Sequence, residues 1–174
     1  MSNAIVALVV IALMLVASLT WSQAAFTSLD SASQSLKQTT KTTQEVARTD
    51  IEIVNVQKQG GFVEVSVLNS GKVHLAQFVD WDVLVQYYDA TGDYHVSQLP
   101  YTENSTPGDN QWAVVNIYTD DSLGEGEVFE PGILDPGEVV LLRLKLTPPQ
   151  GVGTTNLVTV SSANGVVTPA QFNG

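Results

Sequence analysis

The pattern of apolar and polar positions divides this chain into two parts that predict different structures. All residues at positions 4–17 are apolar, and Ser18 is the first polar interruption. Further along, apolar side chains recur at three- and four-residue intervals, at Phe26, Leu29 and Leu36. Neither Gly nor Pro occurs before Gly60. The pattern therefore predicts one helix from about Asn3 to about Ala47, apolar on all sides in its first half and amphipathic in its second.

Three interpretations of the apolar run are open. A cleaved secretory signal would end near Ser22-Gln23-Ala24, but it would also have a basic region before the run, and no charged side chain precedes Asp30. A membrane anchor is the second interpretation, although the run spans only about 24 Å as a helix, against a hydrocarbon core of about 30 Å. The third, favoured here, is a polymer in which many such helices bury one another, because a helix without a polar stripe must be buried all round.

The remainder of the chain has the pattern of a β-domain. From Ile51 onwards apolar positions alternate, and β-branched and aromatic residues are enriched. The predicted strands are Ile51–Val56, Phe62–Leu68, Trp81–Tyr88, Tyr94–Leu99, Trp112–Tyr118, Val139–Leu146, Leu157–Ser161 and Val166–Phe172. Short strands with regular turn signals predict an immunoglobulin-like sandwich. The predicted fold class is α+β, with a long N-terminal helix in residues 1–48 and an antiparallel β-sandwich in residues 49–174.

Charge is distributed unevenly between the two parts. Only 14% of the residues are charged and the formal net charge is −11. Residues 50–174 hold sixteen acidic and four basic side chains and carry −12, whereas residues 1–49 hold two acidic and three basic side chains and carry +1. Binding of phosphate requires clustered Lys and Arg, so the acidic part excludes nucleic acid as a partner. We interpret the acidity as a solvated surface whose copies repel one another.

Candidate chemistry is sparse. The chain has no cysteine, which excludes disulfides, thiolate nucleophiles and Cys-based zinc sites. His74 and His95 lie on separate predicted segments, and the sequence lacks nucleophile-elbow, phosphate-loop and dinucleotide-binding motifs. Two acidic groups have oxygen ligands suited to calcium but no EF-hand spacing, and both are interpreted as solvated: Asp80 with Asp82, and Asp120, Asp121, Glu125, Glu127 and Glu130. We therefore predict no enzyme, no metal and no cofactor.

Five stretches of the chain carry a family resemblance. They are NAIVALVVIALMLVASLTW at Asn3–Trp21, VSVLNSG at Val65–Gly71, WDVLVQYYDATGDY at Trp81–Tyr94, LDPGEVVLLRLKL at Leu134–Leu146 and VSSANGV at Val160–Val166. In this order they resemble the archaeal-type flagellins, or archaellins, of the type IV pilin-like superfamily. The turn-forming pieces are generic, and it is their order after such a helix that is specific. Bacterial type IV pilins usually have Glu at the fifth mature position, where this chain has Ile5, which favours the archaeal-type branch.

The resemblance implies a structural subunit of an extracellular, cell-surface filament. Such a subunit is made with a short basic leader that a membrane peptidase removes, so numbering is expected to start at the mature N-terminus. It is inserted in the cytoplasmic membrane before assembly. Its helices then form the core of a homopolymer, an archaellum, which assembly and motor machinery builds and turns for motility. An adhesive type IV-like pilus subunit, and a membrane-anchored binding module or motor stator protein, are the alternatives that the sequence leaves open.

Two kinds of site residue are predicted. The predicted filament core comprises Ile5, Leu8, Val9, Ile11, Leu13, Leu15, Val16, Leu19, Trp21, Phe26, Leu29 and Leu36. Asn104 begins the sequence Asn104-Ser105-Thr106, an acceptor for N-linked glycan in a loop flanked by Pro and Gly. The sequence therefore predicts a surface glycoprotein.

Overall fold

A computed structural model describes residues 2–120, 124, 126–128, 130 and 132–174, and the side chains at positions 2, 19, 22, 24 and 25 lie outside that description. By internal contacts the chain separates into two compact units, one ending at Gln44 and the other comprising Glu45–Gly174. The boundary proposed from the sequence, between residues 48 and 49, lies close to this division and stays a prediction.

Helix α1 comprises Ser2–Arg48, within one residue of both predicted ends. It contains neither Gly nor Pro, the two residues that most disfavour a helix interior. The helix ends where Thr49 donates its backbone N–H and its hydroxyl to the carbonyl of Glu45, at 3.0 and 2.8 Å. Arg48 lies in the last turn, where a positive charge complements the helix dipole.

The second unit consists of alternating strands joined by short turns. In chain order they are β1 (Ile51–Gln59), β2 (Phe62–Asn69), β3 (Asp82–Tyr88), β4 (Tyr94–Leu99), β5 (Gln111–Tyr118), β6 (Val139–Lys145), β7 (Thr155–Ser161) and β8 (Val167–Asn173). Gly60 and Gly61 both have positive φ, 57° and 89°, in the hairpin between β1 and β2, which explains the glycine pair. Trp81, expected to begin a strand, instead follows the 3-10 turn Phe78–Asp80, because Gln77 turns the chain in a left-handed conformation.

The strands form two four-stranded antiparallel sheets. The first has the order β1-β2-β6-β5 and the second the order β4-β3-β7-β8. Both contribute to one hydrophobic core. Two faces predicted from alternation are buried in it, which confirms them: Trp81, Val83, Val85 and Tyr87, and Val140, Leu142, Leu144 and Leu146. The α+β class is therefore confirmed, and the immunoglobulin-like topology stays a prediction.

Candidate assembly surface

The first half of α1 exposes large aliphatic side chains around its whole circumference. From Ile5 to Val16 the exposed fractions of these side chains range from 44% at Val10 to 71% at Leu8, and Trp21 is 80% exposed. Consecutive residues on a helix point about 100° apart, so residues 5–16 cover every face. The predicted core residues from Ile5 to Val16, together with Trp21, therefore lie in a single exposed apolar surface. We call residues 4–21 of α1 the apolar helix surface; the side chain of Leu19 lies outside the described ones.

The second half of α1 continues this surface as a stripe. Phe26, Leu29 and Leu36 are exposed by 71%, 66% and 68%. The first charged side chain of the chain is Asp30, and Lys37, Lys41, Glu45 and Arg48 follow it. The helix thus changes along its length from apolar on all sides to amphipathic, as the sequence predicts.

Hydroxyl groups in α1 are bonded within the helix itself. Ser18 Oγ donates to the carbonyls of Met14 and Leu15, at 2.9 and 3.0 Å, and Thr20 Oγ1 donates to those of Val16 and Ala17, at 3.1 and 2.9 Å. The hydroxyl of Thr27 bonds the Gln23 carbonyl in the same way. A hydroxyl that is already bonded avoids most of the cost of burial in an apolar environment. Neighbouring helices can therefore cover this segment without leaving the hydroxyls of Ser18, Thr20 and Thr27 unpaired.

Exposure of the apolar helix surface to water is energetically costly. Complete burial of a large aliphatic side chain is worth about 1.5–3 kcal/mol, so covering the exposed part of residues 5–16 is worth on the order of 10–20 kcal/mol per subunit. Such a surface is stable in water only when another apolar surface covers it. None of the helical residues that the structure describes makes a stretch with the length and hydropathy required to span a membrane. Insertion in the cytoplasmic membrane before assembly, which the resemblance implies, stays a prediction.

The predicted glycan acceptor lies in an exposed, structured loop between β4 and β5. Asn104 Oδ1 accepts a hydrogen bond from the Thr106 N–H at 3.0 Å, and the Asn104 N–H donates to Thr102 Oγ1. The loop is tied to the first sheet because the Arg143 guanidinium donates to the Ser105 carbonyl at 3.4 Å. Arg143 itself is paired with the buried carboxylate of Glu64 at 2.6 Å. The acceptor is therefore presented on the surface of the β-domain.

One cluster of polar side chains, which lies around Asp89 and His95, was not predicted from the sequence. His95 Nε2 lies 2.9 Å from Asp89 Oδ2, and Asp89 Oδ1 accepts hydrogen bonds from the Thr91 hydroxyl and from the N–H groups of Thr91 and Asp93. The bond from His95, followed by that from Thr91, holds the pKa of the Asp89 carboxyl well below its usual range. His95 also stacks on Tyr87, with ring centroids 5.1 Å apart. The cluster closes the turn between β3 and β4, and Asp at the start of a turn was its signal in the sequence.

Several of the acidic positions make local contacts in the described structure. Asp82 Oδ1 accepts a hydrogen bond from Gln98 Nε2 at 2.7 Å, and the Glu130 N–H donates to Glu127 Oε1 at 2.7 Å. Burial, together with nearby carboxylates, raises the pKa of Glu138. Among described residues, no group of three or more His, Asp or Glu side chains has an arrangement that could hold a metal ion. Asp121 and Glu125, two of the candidate calcium ligands, lie outside the described residues.

His74 makes the other imidazole–carboxylate contact on the surface. Its Nδ1 is hydrogen bonded to Asp135 Oδ1, and this bond raises the pKa of His74. His74 and His95 lie in different parts of the β-domain and bind different carboxylates, as their separation in sequence suggests. Each has a local structural partner.

The fold is similar to those of archaellum components. The archaeal flagellum of Methanospirillum hungatei strain JF1 matches over 96% of this chain and 90% of its own, with 14% identity and a TM-score of 0.62. The archaellum periplasmic stator protein FlaG from Sulfolobus acidocaldarius matches over 71% of this chain and 99% of its own, with 18% identity and a TM-score of 0.51. The stator complex of FlaF and FlaG from the same organism covers 70% and 87%, with 16% identity and a TM-score of 0.50.

No protein-family model and no curated protein matches the sequence. The likeness is therefore one of structure. The chain has an archaellin-like fold, and the neighbours described above are structural components of the archaellum.

Proposed function

We propose that this chain is the structural subunit of an archaellum-type filament. The N-terminal helices of many copies form the core, and the acidic β-domains form the extracellular coat. The observation that carries the proposal is the apolar helix surface, which is exposed around its whole circumference. Copies of the same helix match that surface in length and in chemistry. Contacts of this kind that do not close into a ring generate an open helical filament.

Two further observations support this function. The match to the Methanospirillum flagellum covers 96% of this chain, so it includes residues of both α1 and the β-domain. The charge distribution also suits a filament. The net charge of −12 on residues 50–174 would repel neighbouring filaments, and residues 2–29 of α1 contain no charged side chain that packing of helices would bury. Motility, with assembly and motor machinery as partners, is the role that this architecture favours.

A periplasmic stator protein is the second candidate function. FlaG from Sulfolobus acidocaldarius is matched over 99% of its length, which favours a stator role for the β-domain. A stator component does not need to polymerise through its helix. The apolar helix surface, in contrast, must be covered, either by other copies of the helix or by a different apolar surface. The filament is for this reason the first proposal.

Deletion of the gene in the source cells, with microscopy of the cell surface, separates the possibilities. For an archaellum subunit we expect loss of both filaments and swimming, and mass spectrometry of sheared wild-type filaments should show this chain as the principal polypeptide. A stator component would leave filaments made of another polypeptide but stop swimming. Loss of filaments with normal swimming would identify an adhesive pilus instead.

Asn104 is proposed to carry an N-linked glycan in native material. Its loop is exposed, and Thr106 completes the acceptor site. The intact mass of native protein should exceed the mass of the polypeptide, and the excess should disappear in the variant Asn104→Gln. The matched variant Asn164→Gln, at an asparagine followed by Gly165 and so outside an acceptor sequence, should keep the excess mass. Native protein at the mass of the bare polypeptide would remove Asn104 from the site residues.

A further inference from the structure

The two sheets of the β-domain differ in how far their outer faces are already covered. On the first sheet, the outward side chains of Ala113, Val139 and Leu141 are buried, and so is the Glu64 carboxylate beneath Arg143. The guanidinium of Arg143 reaches the loop after β4 through the Ser105 carbonyl. Much of this outer face is therefore occupied by the domain's own chain.

The second sheet presents an open outer face with almost no charge. Strand register brings together the outward side chains of its four strands: Asp82, Leu84, Gln86, Tyr88, Tyr94, Val96, Gln98, Thr155, Leu157, Thr159, Ser161, Val167, Pro169, Gln171 and Asn173. We call this set the uncharged face, since Asp82, at one corner, is the single charged member among these described residues. Tyr88, Tyr94, Val96 and Val167 are exposed by 45%, 53%, 58% and 56%.

The most apolar part of the uncharged face lies along β4. The rings of Tyr88 and Tyr94 contact each other, with centroids 5.1 Å apart, and Val96 lies next along the strand. Strand β4 is also an edge of its sheet, and its described residues include no proline, no Lys, Arg, Asp or Glu, and no register shift. Exposed edges usually have one of these protections against pairing with another chain. The opposite edge strand, β8, has Pro169.

The charge of the β-domain indicates which partner would pack on the uncharged face. Each β-domain carries −12, so two copies can approach closely only through surfaces without acidic side chains. The uncharged face comes nearest to such a surface, because its single acidic side chain, Asp82, lies at one corner, whereas the rest of the domain is strongly acidic. We infer that it is the contact through which a second copy of this chain packs its β-domain in the assembled polymer, with Tyr88, Tyr94 and Val96 at the centre. The inference rests on the proposed function, because polymerisation through α1 is what brings the copies together.

Single-cysteine variants test this contact, since the natural chain has no cysteine. Val96→Cys places a thiol on the uncharged face, and Val152→Cys places the matched control in the loop between β6 and β7, at a valine that is 91% exposed. Maleimide labelling is measured on sheared filaments and on dissociated subunits of each variant. Assembly should slow labelling at position 96 by about tenfold or more, because a protected thiol reacts only when the contact opens, and should leave position 152 nearly unchanged.

A charge variant gives an independent measurement. Val96→Glu adds one acidic side chain to the uncharged face and should reduce the yield of filaments, whereas Val152→Glu adds the same charge elsewhere and should not. Circular dichroism of both variants monitors folding. Filaments whose position 96 labels as fast as position 152, and whose yield is unaffected by Val96→Glu, would overturn the inference while the filament function stands. A native chain that forms no filament would overturn both.

Discussion

Filaments should be absent when Val10 is replaced by Lys, although the β-domain should fold normally. Val10 lies in the middle of the apolar helix surface and, at 44%, is the least exposed of the large side chains described there. In a core of packed helices, a Lys at this position must either keep an unpaired buried charge, at a cost of several kcal/mol, or lose its proton. Helical repetition imposes that cost on every subunit.

The matched control is Thr43→Lys. Thr43 lies on the same helix, but in the half that already includes Lys37, Lys41 and Arg48, so an added Lys there should be tolerated. Cells that express Val10→Lys should be bald by electron microscopy, whereas cells that express Thr43→Lys should assemble filaments. Circular dichroism of the purified chains should show the same β-structure in both. Normal filaments from Val10→Lys would contradict a buried core at this position.

The extent of α1 was predictable because every local signal agrees. A segment without Gly or Pro, apolar on all faces and then amphipathic, favours one conformation, a continuous helix whose apolar surface must be covered. The strands were predictable for a similar reason, since alternation with a period of two fixes which side chains face the core. Val83, Val85 and Tyr87 are buried as that alternation requires.

The parts that could not be predicted depend on contacts between distant residues. Pairing of β2 with β6 brings Val65 opposite Leu142, and no local pattern specifies that partner. The uncharged face has the same origin, because it becomes visible only when the register places Val96 beside Gln86 and Gln86 beside Leu157. In the sequence, each of its strands has the alternating pattern of any strand with one buried face. Sequence alone identified the apolar helix surface proposed to form the polymer core, and the register of the second sheet identifies the face proposed as the contact between β-domains.

Deletion of residues 1–44 should convert the chain into a soluble monomer with an intact β-domain. Among the described side chains, every buried hydrophobic member of the core lies at Ile51 or beyond, so the deletion removes none of them. The structure also indicates where to cut. The Lys72 N–H donates to the Arg48 carbonyl at 2.8 Å, and Arg48 Nη2 donates back to the Lys72 carbonyl at 3.4 Å. The helix turn of residues 45–48 therefore belongs with the β-domain.

Deletion of residues 1–48 is the matched comparison. It removes four hydrogen bonds, two accepted by the Glu45 carbonyl from Thr49 and two between Arg48 and Lys72. It should therefore leave a folded domain that is less stable by about 4 kcal/mol, since each hydrogen bond contributes about 1 kcal/mol net. Urea unfolding followed by circular dichroism measures that difference, and size-exclusion chromatography measures the association state of both chains. Neither shortened chain has the apolar helix surface, so neither should polymerise. Filaments formed by either one would show that the β-domain, and not α1, holds the polymer together.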